Sequence, residues 1–212
     1  FGILCSPFWG AEVFMEQREF TNRTNPVIEA IVSRSSTKKF SDDPIDRCDI
    51  EAMLAAAVRA PDHGLLAPWK FIVLQGDSRH LLGSAMRNAL KGRMPDADAE
   101  ALDREASKAL RSPVLIVVAA ETKSHPKVPE VEQLVAVGAA IQNLWLAAHS
   151  LGYGAAWKTG SHAYDAGVKG ALGLRSDEQI IGFVHIGRPV QKAPIRSADF
   201  LGRTTWLSPI SD

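Results

Sequence analysis

Residues 130–151 read EVEQLVAVGAAIQNLWLAAHSL and form the longest regular segment of the chain. Large apolar side chains recur in it at the three- and four-residue spacing of an α-helix, and alanines make the remaining faces small and apolar too. A helix that is apolar almost all round is buried on several sides. We therefore predict a long, buried central helix that ends before Gly152, and we expect a dimer interface to supply part of its burial.

Shorter helices and strands alternate on both sides of this segment. Before it, the apolar pattern predicts helices over 27–33, 49–59, 77–90 and 96–111, and strands over 69–74 and 113–120. Gly92 and Pro95 are expected to separate the third and fourth helices. After it, strands over 153–157 and 180–186 flank a helix over 165–172. The sequence has neither an internal repeat nor a low-complexity linker, which favours one α+β domain over residues 27–189.

The two ends of the chain lie outside this pattern. We predict that residues 1–26 are an N-terminal extension that is not native or is disordered, because residues 1–14 are apolar and precede Met15. The alternative is an arm that packs on a partner subunit and hides Phe8, Trp9 and Phe14 from water. Residues 190–212 contain prolines and no clear periodicity, which indicates an extended C-terminal arm.

Charge and cysteine content exclude several classes of partner. Lys plus Arg number 24 and Asp plus Glu number 24, and this zero net charge argues against nucleic acid or an anionic membrane as the main partner. Cys5 and Cys48 belong to no metal-binding spacing, so we expect free thiols in the reducing cytoplasm and no metal site. No apolar run reaches the ~18 residues that suggest a membrane span.

The common catalytic motifs are missing. The sequence has no GxGxxG, GxxxxGK[ST], HExxH or GxSxG motif. Ser161, His162 and Asp165 lie close together, but sequence adjacency does not make a triad, and a loop with a helix cap is the favoured interpretation. We therefore predict no catalytic side chain.

Three polar stretches remain as candidate ligand sites. Residues 34–39 read RSSTKK, and their hydroxyls and cations suit a phosphate, although a polar loop that ends a helix explains them as well. Residues 59–69 read RAPDHGLLAPW and place Arg59 and His63 on a stiff loop of the kind that often binds ligands. The structural alternatives are a cation at a helix C-terminus and a histidine bonded to backbone.

The third stretch is WKTG at residues 157–160. An aromatic ring, a cation and a hydroxyl at the end of a strand suit a planar ligand with polar edges. The structural alternative is a tryptophan packed in the core and followed by a turn.

Taken in order along the chain, these stretches resemble the nitroreductase family of FMN-dependent oxidoreductases, and in particular its small NAD(P)H nitroreductases of the YdjA type. The resemblance also includes residues 127–133 (KVPEVEQ), 152–154 (GYG) and 181–183 (IGF), with Gly187. It spans about residues 27–189. It implies a mixed, mainly antiparallel sheet flanked by helices, and FMN sites shared across a homodimer interface.

The resemblance also implies roles for individual residues. Arg34, Ser35 and Ser36 match the stretch that holds the FMN phosphate and ribityl chain, and Lys38 matches a lysine near the pyrimidine edge of the flavin. Arg59 and His63 match positions that reach the FMN of the other subunit. The stretch along the flavin is matched by Trp157, Lys158 and Thr159. A segment associated with the nicotinamide nucleotide is matched by Ala147, Ala148, His149, Ser150, Leu151 and Gly152.

The chain departs from the family pattern at two places. Ser35 replaces a second arginine, and Lys158 with Thr159 replaces an Arg-Ser pair. Arg188 is a candidate for a compensating cation at the phosphate.

The function implied by the resemblance is transfer of a hydride from NADH or NADPH through FMN to nitro or other electron-poor acceptors, in a ping-pong mechanism. The alternatives are another flavin reaction on the same scaffold, namely dehalogenation, enoate reduction or flavin breakdown, and a non-catalytic FMN-binding protein.

Overall fold

A computed structural model of the protein describes residues 25–191, 193–195 and 200–207. The predictions for residues 1–24, including Cys5, and for much of the C-terminal arm lie outside the described residues. The helices are α1 (Pro26–Ser33), α2 (Arg47–Ala57), α3 (Ser78–Arg93), α4 (Ala99–Ser107), α5 (Glu130–Ser150) and α6 (Ala166–Ala171). The strands are β1 (Trp69–Gln75), β2 (Val114–Ala120), β3 (Gly154–Lys158) and β4 (Gln179–Gly187).

The four strands form one antiparallel sheet in the order β1-β2-β4-β3. Strand β2 is apolar along its whole length and buried at every residue, as a central strand covered on both faces must be. Strand β3 is an edge strand, and its Gly154 pairs with Gly187 at the end of β4. The sheet and its flanking helices confirm the predicted α+β class.

The two faces of the sheet support two hydrophobic clusters. On one face, Ile116, Val184 and Ala155 pack with residues of α2 and α5. On the other face, Leu115, Val117 and Phe183 pack with residues of α3 and α6. Because side chains alternate along a strand, β1, β2 and β4 each contribute to both clusters.

Helix α5 crosses the first face and is only partly covered by its own chain. Its Ala140, Ile141 and Leu144 are fully buried, but Val131 and Val135 are 62% and 67% exposed. By length and composition α5 could cross a membrane, yet it packs as a core helix against the sheet and α2. None of the eight residues of α1 is buried against the described part of the chain. These apolar surfaces are the ones that the predicted dimer interface has to cover.

The predicted break between the third and fourth helices is wrong in one detail. Gly92 lies inside α3, which continues to Arg93, and the chain leaves the helix at Met94 before Pro95. A glycine costs an exposed helix only about 1 kcal/mol, whereas proline disfavours the helical conformation in the residue before it. Pro95 therefore provides the stronger stop.

Candidate functional site

Residues 34–41 run along the edge of the sheet. Thr37 N donates to Ala155 O at 3.0 Å, and Ser36 forms a parallel bridge with Ala155 of β3. Ser41 N then donates to Arg188 O at 2.9 Å, beyond the end of β4. Residues 36–41 are thereby placed beside Ala155 of β3 and beside Arg188, at the end of β3 away from Lys158.

A glycine permits this close approach. A Cβ added to Gly154 would lie 2.2 Å from Thr37 Oγ1 and 2.9 Å from Thr37 Cβ, so the buried Thr37 occupies the space where any other residue would have a side chain. Gly154 therefore sets how closely residues 34–37 lie against β3.

Arg34 is the central cation of this edge. Its guanidinium carbon lies 4.3 Å from the ring centroid of Trp145 on α5, a stacking arrangement that arginine favours. Its Nη1 is buried and has no hydrogen-bond partner in the described part of the chain. An unsatisfied buried donor costs about 1–3 kcal/mol, and more when it is charged. The arrangement is therefore that of a cation held ready for an anion.

The neighbouring donors are also free. The side chains of Ser35, Ser36 and Lys38 make no hydrogen bond to any described residue, and Ser36 and Lys38 are exposed. A guanidinium and two hydroxyls in three consecutive residues can satisfy several oxygen atoms of one phosphate.

Arg188 lies at the same edge, beyond Gly187. Its guanidinium carbon is 5.1 Å from the ring centroid of Tyr153, and the Tyr153 hydroxyl donates to Asp49 Oδ2 at 2.7 Å. That hydrogen bond to a carboxylate raises the pKa of Tyr153, and burial adds to the effect. Backbone hydrogen bonds thus hold Arg188 beside residues 39–41, while its guanidinium lies over Tyr153.

The side chains of Trp157 and Lys158 lie on opposite sides of β3. Trp157 packs with the cluster under α5 and donates from Nε1 to Ile181 O at 3.1 Å. Lys158 is exposed on the other side, where its charge contributes to lowering the pKa of His185. A planar ligand on one side of the strand therefore meets only one of these two side chains.

His63 lies near the opposite end of α5, whereas Arg59 comes three residues after Ala56, whose carbonyl oxygen accepts from Asn143 Nδ2 at 3.3 Å. His63 Nδ1 donates to Glu132 Oε2 at 2.6 Å, in the first turn of the helix, while Arg34 stacks on Trp145. Thirteen residues of helix separate Glu132 from Trp145, or roughly 20 Å. One chain therefore does not bring His63 to the first stretch. Arg59 is exposed and forms no ion pair with any described residue.

The loop after Arg59 is strained and braced. Leu65 and Ala67 have φ angles of +52° and +47°, a region that side chains with a Cβ disfavour. Asp62 Oδ2 accepts from Ala67 N at 2.6 Å, and Asp62 Oδ1 is buried with no partner in the described residues. Strain of this kind persists where surrounding contacts over-determine it, often at ligand sites. Sequence reasoning passed over Asp62 and Leu65, because neither residue type signals a left-handed turn.

The segment predicted to contact nicotinamide is the end of α5 and the turn after it. Ala148 is buried, His149 is half-buried, and Leu151 and Gly152 are exposed. Ser150 Oγ donates to Ala147 O at 2.9 Å. His149 Nε2 lies 2.8 Å from Ser33 Oγ, a contact between residues 116 positions apart that no local pattern could have predicted.

Comparison with known proteins places this arrangement in a class. The structure of a "Nitroreductase-like Family Protein" from Bacillus cereus superposes with a TM-score of 0.78 over 86% of this chain and 96% of that chain, at 23% identity. A "putative nitroreductase in complex with fmn" from Desulfovibrio desulfuricans gives a TM-score of 0.68 over 89% of this chain and 99% of that chain, at 25% identity. The fold is therefore nitroreductase-like, as the resemblance implied.

The sequence comparison is more specific. The profile of the nitroreductase family matches residues 31–188, and the chain belongs to this family. It is 29% identical over 166 residues to "Putative NAD(P)H nitroreductase YdjA" of Escherichia coli, covering 78% of this chain and 90% of the relative. It is 33% identical over 164 residues to a "Putative NAD(P)H nitroreductase" of Haemophilus influenzae, covering 77% and 88%. These matches confirm the predicted family and the enzyme class of oxidoreductase.

A third relative has a different activity in its name. The chain is 28% identical over 187 residues to the "5,6-dimethylbenzimidazole synthase" of Rhodospirillum rubrum, covering 82% of this chain and 86% of the relative. At the level of the relatives, the predicted cofactors FMN and NAD(P)H are confirmed by these names and by the FMN complex.

Proposed function

We propose that the protein is an FMN-dependent oxidoreductase that passes a hydride from NADH or NADPH, by way of FMN, to nitro or other electron-poor compounds. The observation that carries this proposal is the buried, unpartnered Nη1 of Arg34, beside the free hydroxyls of Ser35 and Ser36. The relatives named as NAD(P)H nitroreductases and the FMN-bound neighbour support the choice of cofactor.

The residues at the edge of the sheet suit the phosphate end of FMN. Arg34 offers a fork of N–H donors, and its stacking on Trp145 restricts the orientations of the guanidinium. Ser35 and Ser36 add neutral donors, and Arg188 adds a second cation in place of the arginine that Ser35 replaces. The site thus matches a doubly charged anion in charge and in hydrogen-bonding capacity.

The chain's own residues supply position and electrostatics. Lys38 is the cation assigned to the pyrimidine edge, where a positive charge stabilises negative charge that develops on reduction. Trp157 presents a partly buried ring on one side of β3, and Lys158 and Thr159 present polar groups at the exposed end of the strand. Bound FMN supplies the two-electron chemistry, and one face used in turn by donor and acceptor gives ping-pong kinetics.

The working form in this proposal is a cytoplasmic homodimer. Arg59 and His63 complete the FMN site of the neighbouring subunit, since one chain holds His63 near the wrong end of α5 for its own Arg34. The exposed apolar residues of α1 and the exposed Val131 and Val135 of α5 form the interface.

Two measurements test the proposal in sequence. Purified protein supplied with FMN is expected to show a bound-flavin visible spectrum, and a protein that takes up no FMN contradicts the proposal. Steady-state NAD(P)H oxidation with a nitroaromatic acceptor then separates an enzyme from a protein that only binds FMN. Parallel double-reciprocal plots at several acceptor concentrations indicate ping-pong kinetics, whereas intersecting plots exclude them.

A second candidate is flavin breakdown, which the similarity to 5,6-dimethylbenzimidazole synthase favours. Incubation of the protein with NAD(P)H, excess FMN and a nitroaromatic acceptor distinguishes the two. Accumulation of 5,6-dimethylbenzimidazole supports breakdown, whereas intact FMN and stoichiometric reduction of the acceptor support the nitroreductase reaction. An acceptor panel with halogenated and enoate compounds covers the remaining alternatives.

A further inference from the structure

We propose that His149 is a positioning residue, which fixes the anion-binding turn at residues 33–36 on α5, and is not a nicotinamide contact. The inference rests on the proposed FMN site and goes beyond it, because it reassigns a residue for which the family resemblance implied another role.

The contact between His149 and Ser33 has a defined direction. Ser33 Oγ lies 2.6 Å from Glu29 O, and a carbonyl oxygen can only accept, so the single hydroxyl proton is used there. The 2.8 Å contact between His149 Nε2 and Ser33 Oγ therefore has the imidazole as the donor. His149 must carry its proton on Nε2 to make this bond.

Arg34, the residue after Ser33, is held by Trp145, one helical turn before His149 on α5. Trp145 precedes His149 by four positions, so both side chains lie on the same face of α5. Ser33 is the last residue of α1 and bonds to His149, and Arg34 follows it and stacks on Trp145. Two consecutive residues are thus attached to α5 by two side chains one turn apart.

Other attachments of α1 to its own chain are weak. Since none of its residues is buried against the described chain, its end is positioned chiefly by these two contacts. On the far side, Thr37 is tied to Ala155 of β3. Residues 34–36 lie between these two attachment points, and their side-chain donors have no hydrogen-bond partner among the described residues. When the hydrogen bond from His149 is lost, the turn can shift, and Arg34 then loses its alignment.

The ring of His149 is therefore engaged inside its own chain. Its Nε2 is used by Ser33, and the residue is half-buried against the end of α1. A nicotinamide contact made through Nε2 would break that bond. The geometry assigns the residue to the flavin phosphate turn.

The test compares FMN affinity with nicotinamide affinity in matched variants. His149→Leu removes the donor, His149→Gln keeps an amide N–H close to the position of Nε2, and Ser33→Ala removes the acceptor. His80→Leu, at an exposed position on α3, is the matched control. FMN dissociation is followed by flavin fluorescence on dilution of the holoprotein, and KM for NADH and NADPH is measured at saturating FMN.

We expect His149→Leu and Ser33→Ala each to weaken FMN binding about tenfold, the effect of one buried hydrogen bond. His149→Gln is expected to restore affinity to within threefold of wild type, and the Ser33→Ala/His149→Leu double variant to lose no more than one single variant. The KM for NAD(P)H should stay within twofold throughout. If His149→Leu fails to fold, the FMN affinities of the two single variants Ser33→Ala and His149→Gln decide the test.

Unchanged FMN affinity in His149→Leu and Ser33→Ala overturns the inference. A raised KM for NAD(P)H with unchanged FMN affinity does so as well, and returns His149 to the nicotinamide site. If the wild-type protein itself takes up no FMN, the proposed function fails and this inference fails with it.

Discussion

Arg34 has a buried donor that no described residue pairs, and this is the residue on which the site depends. Its neighbours in sequence identify it as part of a cationic, hydroxyl-rich turn, so the sequence alone could nominate it. The stacking of Arg34 on Trp145 could not be predicted. The two residues are 111 positions apart, and an apolar side chain in α5 was already accounted for by burial of that helix in the core. Pairings of this kind are set by the packing of α1 on α5, which leaves no local signature.

Replacement of Arg34 by alanine should weaken FMN binding roughly 10- to 100-fold, since charge-assisted bonds to the phosphate are lost. Arg34→Lys should recover only part of the loss, because an ammonium keeps the charge but not the fork. Arg47→Ala is the matched control, as Arg47 forms an exposed ion pair with Glu51. Fluorescence titration gives the affinities, and a value for Arg34→Ala within twofold of wild type removes Arg34 from the site.

His185 predicts a pH dependence of stability. Burial, and then the charges of Arg111 and Lys158, lower its pKa to about 4. Ser112 Oγ donates to Val114 O and so accepts from His185 Nδ1, which fixes the tautomer of the neutral ring that carries its proton on Nδ1. Because the unfolded chain binds this proton near pH 6.5 and the folded chain only near pH 4, stability is present above pH 6.5 and is lost as the pH falls between these values.

The free energy of unfolding that is lost between these pH values amounts to at most about 3 kcal/mol. Urea unfolding of wild type and His185→Gln between pH 7.5 and 4.5, at one fixed FMN concentration, measures it. The variant should be less stable at pH 7.5 but lose less stability on acidification. Equal pH slopes in the two proteins contradict this account, and His80→Leu, which changes an exposed histidine, should keep the wild-type slope.

At the scale of elements, the sequence predicted most helices and strands to within a few residues. Strand β2 was recognisable because Val114 to Ala120 is an unbroken apolar run, and α5 because its period is maintained over 21 residues. The loop between α2 and β1 was not predictable in detail. Local preference disfavours a positive φ at Leu65, and the braces that impose it come from Asp62, Lys123 and Val128.

The approach of residues 34–37 to β3 gives an element-scale prediction. Gly154→Ala places a Cβ 2.2 Å from Thr37 Oγ1, so the segment must move away from β3. Both the melting temperature and the affinity for FMN should fall, because the anion-binding turn and the core are displaced together. Gly92→Ala is the control, since nothing lies within 4 Å of its added Cβ and it sits in a helix, where alanine stabilises by up to about 1 kcal/mol.

Thermal unfolding followed by circular dichroism and flavin release from the same samples give both quantities. If the Gly154→Ala variant has the wild-type melting temperature and FMN affinity, Thr37 can move aside without loss of stability. The close approach to β3 then does not set the position of the anion-binding turn.

At the scale of the whole molecule, the sequence predicted the family and the α+β domain but not the arrangement of its polar stretches. One chain brings residues 34–41 and Arg188 together at one edge, and its His63 lies near the other end of α5, roughly 20 Å from Trp145 along the helix. A two-fold axis exchanges equivalent surfaces, so the second stretch of one subunit can meet the first stretch of another. That sharing of sites is the central claim of the proposed function.

A mixed dimer of Arg34→Ala and Arg59→Ala subunits, co-expressed with different tags and purified through both, tests this claim most directly. If sites are shared, the Arg59→Ala subunit supplies Arg34 and the Arg34→Ala subunit supplies Arg59, so one of the two sites is intact and the other has lost both arginines. We predict about one tightly bound FMN per mixed dimer, compared with two in wild type and weak binding in both parent variants. If Arg59 instead serves its own subunit's site, neither site is intact, and a mixed dimer that binds FMN as weakly as its parents contradicts the account.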